Sequence, residues 1–123
     1  MDYLTIKLFH LIGVMLIFMG LGGMVFAAYA GFGPEKKKVR RAAAMIHGIG
    51  LLFLIVSGIG MLQGLGLLHG DPPGWIKAKF FIFLLLGGSI SLAARFSRWI
   101  WILLVTWVLL GAAAGYLALY KPF

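Results

Sequence analysis

The chain reads as an all-α, polytopic integral membrane protein, a single four-helix transmembrane bundle. Three observations lead there. Of its 123 residues 63% are hydrophobic and only 11% charged, whereas a soluble domain carries about a quarter charged residues. Four uncharged or nearly uncharged stretches, at about residues 4–30, 42–65, 75–94 and 99–120, are long enough or nearly long enough to cross a bilayer. All the charges but Lys7, Lys77 and Lys79 fall outside those stretches.

The first stretch follows Met1-Asp2, which offers no basic leader, and no small-residue cleavage site comes after it. It is therefore expected to be a retained span rather than a signal peptide. Gly13, Gly20, Gly22, Gly23 and Ala27 run along it. Small residues of this kind let helix backbones approach closely in lipid. Tyr3, Lys7, His10 and Val14 follow at spacings of four, three and four, which places them on one helical stripe with a polar outer end.

Residues 31–41 read as a loop holding Lys36, Lys37, Lys38, Arg40 and Arg41, and the connection after the third stretch holds Arg95 and Arg98. The other basic residues, Lys7, Lys77, Lys79 and Lys121, fall on the opposite side. The positive-inside rule then puts residues 31–41 and 95–98 in the cytoplasm and both termini outside. The formal net charge of +8 is read as topology and anionic-lipid contact, not as nucleic-acid binding.

The second stretch contains Gly60-x-x-x-Gly64 and the fourth Gly111-x-x-x-Gly115, both read as helix-packing motifs. Pro72-Pro73 is expected to end the second helix and force a turn. Ser89 and Ser91 have backbone carbonyls within reach on their own helix. Trp75, Trp99, Trp101 and Tyr120 take the interfacial role of such aromatics.

The third stretch opens Gly74-Trp-Ile-Lys-Ala-Lys-Phe. Its uncharged part, residues 80–94, covers roughly 22 Å at 1.5 Å per residue, less than the roughly 30 Å hydrocarbon core. The helix must begin upstream, near Trp75, with Lys77 and Lys79 in its first turns. Snorkelling to the headgroups accounts for such lysines. Lys79 lies deeper, and the sharper reading points it into the bundle toward an anionic ligand.

There is no cysteine, so disulfides, thiolate metal sites and covalent haem attachment through cysteine are excluded. Asp2, Glu35 and Asp71, the only acids, are terminal or in loops, which leaves no pair for two-carboxylate hydrolysis and no intramembrane carboxylate relay. No phosphate-binding loop or nucleophile elbow occurs. The histidines remain. His10 sits near the outer end of the first helix and His47 near the cytoplasmic end of the second, on the order of 12–20 Å apart in depth. One iron cannot join them, so they are candidate metal ligands of separate sites, or packing residues. His69, in the outer loop, is on the same side as His10.

Lys7-Leu-Phe-His10-Leu-Ile-Gly-Val, Arg40-Arg41 before the second helix, and Gly74-Trp75-Ile-Lys-Ala-Lys79-Phe resemble the HemJ-type protoporphyrinogen oxidase family, over roughly the first 95 residues. The copper-resistance CopD-like membrane proteins are similar small bundles. The sequence departs from the HemJ pattern after the third helix, where Ser89-Ile-Ser91 and Ala94-Arg95 stand in place of a Tyr-His pair. The resemblance implies a b-type haem or porphyrin, with His10 as axial ligand, Lys79 and Lys7 as propionate partners and Tyr3 as a neighbouring donor. The implied activity is electron transfer or tetrapyrrole oxidation in a bacterial inner membrane. Two alternatives stay open: a non-enzymatic subunit or homo-oligomer packing through glycine faces, and a CopD-like metal transporter, for which Met15 and Met19 are the nearest soft donors.

Overall fold

In lipid every backbone N–H and C=O must be satisfied within the chain, and an apolar sequence with no strand alternation does so as helices. The computed structural model describes residues 2–29, 34–66 and 70–120. It contains α1 (Tyr3–Tyr29), α2 (Pro34–Gly64), α3 (Gly74–Arg95) and α4 (Ile100–Tyr120), with one 3-10 turn at Ser97–Trp99 before α4. All four helices are long and apolar enough to cross a membrane. Large apolar side chains such as Leu4, Met15, Phe26, Leu52, Phe81, Trp101 and Leu119 lie exposed on the outside of the bundle, the surface a lipid-facing protein presents.

The helix ends differ from expectation in two places. The cationic stretch 36–41 is not a loop but the opening turns of α2, which starts at Pro34. Proline suits the first helical position, where its missing N–H is not needed. The second difference is at the far end of α2. That helix stops at Gly64, before the prolines, because Gly66 takes a left-handed φ of 73° and its N–H turns back to the carbonyl of Gln63. Such a glycine ends a helix without the Cβ penalty. Pro73 instead forms the N-cap of α3, and its carbonyl accepts from Ile76 and Lys77.

Asp2 caps α1, its Oδ1 accepting from the Thr5 N–H at 2.9 Å. Hydrogen bonds from Thr5 hold this exposed carboxyl below its ordinary range. Between α3 and α4 the chain turns within a few residues. The Phe96 N–H closes on the Leu92 carbonyl and the Trp99 N–H on that of Phe96.

The tightest contact in the bundle is the antiparallel seam of α1 and α2. Tyr3 meets Gly64, Ile6 meets Gly60, Gly13 meets Phe53, Ile17 meets Gly50, Gly20 meets His47 and Gly23 meets Ala43. The paired positions sum to 66 or 67 each time, so one register holds over the whole length. Glycine makes the approach possible. A Cβ built at Gly20 would stand 2.6 Å from the Cβ of His47 and 2.7 Å from the Ala43 carbonyl, and one at Gly50 would stand 2.8 Å from the Gly13 carbonyl. Without a hydrophobic drive in lipid, such van der Waals contact is what joins helices.

The second pair, α3 and α4, rests on this hairpin mainly through α3, and α2 touches α3 only sparsely. Ile17, Leu21 and Met24 of α1 join Ile82 and Leu86 of α3 and Ile100, Trp107 and Leu117 of α4 in one buried cluster. Trp107 is its largest member, 2% exposed. The two expected small-residue motifs behave differently. Gly60 and Gly64 are packed on α1, and Gly111 lies under the Phe18 ring, but Gly115 faces open space.

Candidate functional site

The stripe of α1 that faces α2 runs Tyr3, Ile6, His10, Gly13, Ile17 and Gly20. It shares Tyr3 and His10 with the expected Tyr3, Lys7, His10, Val14 stripe but carries Ile6 and Gly13 where Lys7 and Val14 were expected, and Lys7 lies exposed. The glycines decide this, because the helix turns its smallest residues into the seam. A lysine turned in with them would need a buried partner for its charge.

His10 is half-buried, with Nδ1 3.1 Å from the Oγ of Ser57 on α2. Ser57 is itself buried, and its hydroxyl donates to the Phe53 carbonyl at 2.5 Å. The single hydroxyl proton is thus committed to α2. Ser57 Oγ must accept from His10, which puts the imidazole proton on Nδ1 and leaves the Nε2 lone pair for another partner. Lys79 of α3, also half-buried, is close enough for its charge to act on the His10 ring. The Tyr3 ring closes the end of the seam against Gly64. The structure therefore gathers His10 and Lys79, places Tyr3 two turns away on the same stripe, and leaves Lys7 outside.

Lys77 does not reach into the bundle. Its Nζ pairs with Asp71 at 2.9 Å, and both side chains are exposed, an arrangement worth about 0–1 kcal/mol. His69 lies outside the described residues.

His47 has the same proton arrangement at a different depth. Its Nδ1 lies 3.2 Å from the carbonyl of Ile17, an acceptor only, so Nδ1 carries the proton. Its Nε2 is buried with no hydrogen-bond partner among the described residues. Ile17 is seven residues below His10, and Ser57 ten residues from His47, so the two rings differ in level by roughly 10–15 Å. His47 is only 1% exposed. A large ligand reaches it only if the seam opens. Among the described residues no group of three or more His, Cys, Asp or Glu could hold a metal ion.

Ser57 is the residue that sequence reasoning passes over, since a serine in a transmembrane helix is usually satisfied by its own backbone. Its partnership with His10 becomes visible only through the register that the seam glycines impose.

The fold and these side chains define a multi-pass membrane protein with two histidines along a glycine-packed helix hairpin. No protein-family model matches the chain, and no curated protein or solved structure matches it either.

Proposed function

We propose that the protein is a haem- or porphyrin-binding protein of a bacterial inner membrane, serving electron transfer or tetrapyrrole oxidation as the HemJ resemblance implies. The observation that carries this reading is the contact of His10 Nδ1 with the buried Ser57 Oγ at 3.1 Å. A metal-ligating histidine commonly donates its second ring N–H to a fixed acceptor, which sets the tautomer and aims the other nitrogen. Ser57 supplies that acceptor, and the half-buried position of His10 leaves its Nε2 more accessible than that of His47. Lys79 supplies a nearby cation of the kind that pairs with a propionate. When bound, haem contributes reversible one-electron chemistry at its iron. The chain's own part is to hold the ring nitrogen, neutralise the carboxylates and exclude water.

An optical spectrum of the purified protein supplied with haem tests this. A Soret band is expected, lost or shifted in His10→Ala, weakened in Lys79→Ala, and nearly unchanged in Lys79→Arg and His47→Ala. No Soret absorbance in the wild type would end the haem reading, and cofactor loss in His47→Ala alone would move the site to the other half of the seam.

A second reading, a subunit of a larger membrane complex or a homo-oligomer, has its own support. Gly22, Gly48, Gly58, Gly88 and Gly115 lie within helices and meet nothing within 4 Å. Such positions admit a further helix at close range. A colourless protein that co-purifies with a large membrane complex would favour it. The CopD-like transporter reading has no donor cluster behind it among the described residues.

A further inference from the structure

At the end of the bundle remote from His10, α1, α2 and α3 leave an open cleft of about 310 Å³ lined by Met24, Arg40, Arg41, Ala44, Ile90 and Ser91. Its composition is divided. Met24, Ala44 and Ile90 give one apolar wall from each of the three helices. Arg40 and Arg41 from α2 and Ser91 from α3 give the polar part. Arg40 is half-buried and Arg41 exposed.

No carboxylate lines the cleft among the described residues, and arginine stays protonated in any protein setting. Two guanidinium groups beside an apolar wall call for an anion, and their planar forks match phosphate oxygens. The serines of α3 make an independent point. The hydroxyl of Ser89 is committed to the Leu85 carbonyl at 2.7 Å. Ser91 is exposed and lines the same cleft as the two arginines.

The depth of the cleft narrows the choice of anion. Arg40 and Arg41 stand where α2 passes from its cationic opening turns into the apolar run that begins at Ala42, and Ser91 is one turn before Arg95 on α3. This is the level of lipid headgroups. A free phosphate would use the arginines and leave the apolar walls bare, whereas a phospholipid has a part for each. Basic pockets between transmembrane helices are a recognised mode of headgroup binding.

We infer that this cleft binds the phosphate headgroup of an anionic phospholipid. Arg40, Arg41 and Ser91 hold the phosphate oxygens, and the first acyl carbons lie along Met24, Ala44 and Ile90. The lipid bridges α2 to α3 where the two helices touch only sparsely. The site is independent of any cofactor at His10.

The test uses full-length protein in detergent, with phosphatidylglycerol, phosphatidylcholine and glycerol phosphate as probes. Bound ligand is counted by native mass spectrometry and the melting temperature is followed in parallel. Phosphatidylglycerol should be retained in preference to phosphatidylcholine and should raise the melting temperature. Arg40→Gln with Arg41→Gln should lower its retention about tenfold. Lys37→Gln with Lys38→Gln removes the same charge from exposed positions and should cost about twofold or less. Ala44→Phe fills the apolar wall but keeps both arginines, so it should expel the lipid while glycerol phosphate binding is unaffected. Equal losses in the two charge variants would reduce the site to diffuse surface attraction and overturn the proposal. So would glycerol phosphate binding as tightly as the lipid, or phosphatidylcholine matching phosphatidylglycerol. If the arginine variant does not fold, wild-type lipid retention by Ala44→Phe overturns the proposal by itself.

Discussion

His10 and Ser57 face each other across the α1–α2 seam, Nδ1 to Oγ at 3.1 Å, with the serine hydroxyl already given to the carbonyl of Phe53. The pair thereby transmits a backbone constraint of α2 to a side chain of α1. The orientation of the imidazole depends on a helix that does not carry it.

Ser57→Ala removes the acceptor and leaves the His10 Nδ1–H without its partner, at a cost of about 1–3 kcal/mol if no water replaces it. The ring is then free to carry its proton on Nε2. Nitrogen NMR of ring-labelled protein should show mainly the Nδ1-protonated form in the wild type and in Ser57→Thr, and a mixture in Ser57→Ala. Identical tautomer populations in all three would mean that Ser57 does not set the ring.

The glycines should divide by what a methyl group would meet. Gly20→Ala drives a carbon against the backbone of α2, and Gly50→Ala does the same against α1. Each should lower stability in detergent by about 1–3 kcal/mol, the usual cost of overpacking. At Gly111 the obstacle is the far edge of the Phe18 ring, 2.9 Å away, which can move, so Gly111→Ala should cost less. Gly115→Ala meets nothing and should be neutral or slightly stabilising, by about 0.5–1 kcal/mol. Steric-trapping or thermal unfolding measurements would read this order. A Gly115 variant as damaging as Gly20→Ala would place an unseen helix on that face.

Topology is testable with an amine reagent that does not cross membranes. With residues 36–41 in the cytoplasm, Lys37 and Lys38 should be protected in intact cells and labelled after lysis, while exposed Lys7 and Lys77 should be labelled in both. The opposite pattern would place the His10 end of the bundle inside and the arginine cleft outside.

The helices were legible because bilayer thickness demands long apolar runs, and the chain has four. Their ends were less so. Nothing in composition tells that cationic residues 36–41 belong to a helix, since lysine and arginine are as much at home in a helix as in a loop; Pro34 was the one local sign. The site was half legible. His10 and Lys79 could be singled out as ionisable groups in a membrane. Lys7 could not be separated from them, because a four-three-four spacing defines a face but not the neighbour toward which it turns. That choice is made by the partner helix. Trp107 was hidden for a related reason: in a uniformly apolar helix, no pattern distinguishes the side facing protein from the side facing lipid.

The seam between α1 and α2 bears on how the protein is made. The close partners of Gly13, Gly20, Gly23, Gly50, Gly60 and Gly64 all lie within the first 64 residues, so the hairpin can close before the rest of the chain exists. At about 5–20 residues per second, the 56 residues from there to the end of α4 at Tyr120 take roughly 3–11 seconds to be made. Helix association within a bilayer has that interval to itself. The second pair of helices then leaves the ribosome beside a finished surface, and its assembly becomes docking onto a template.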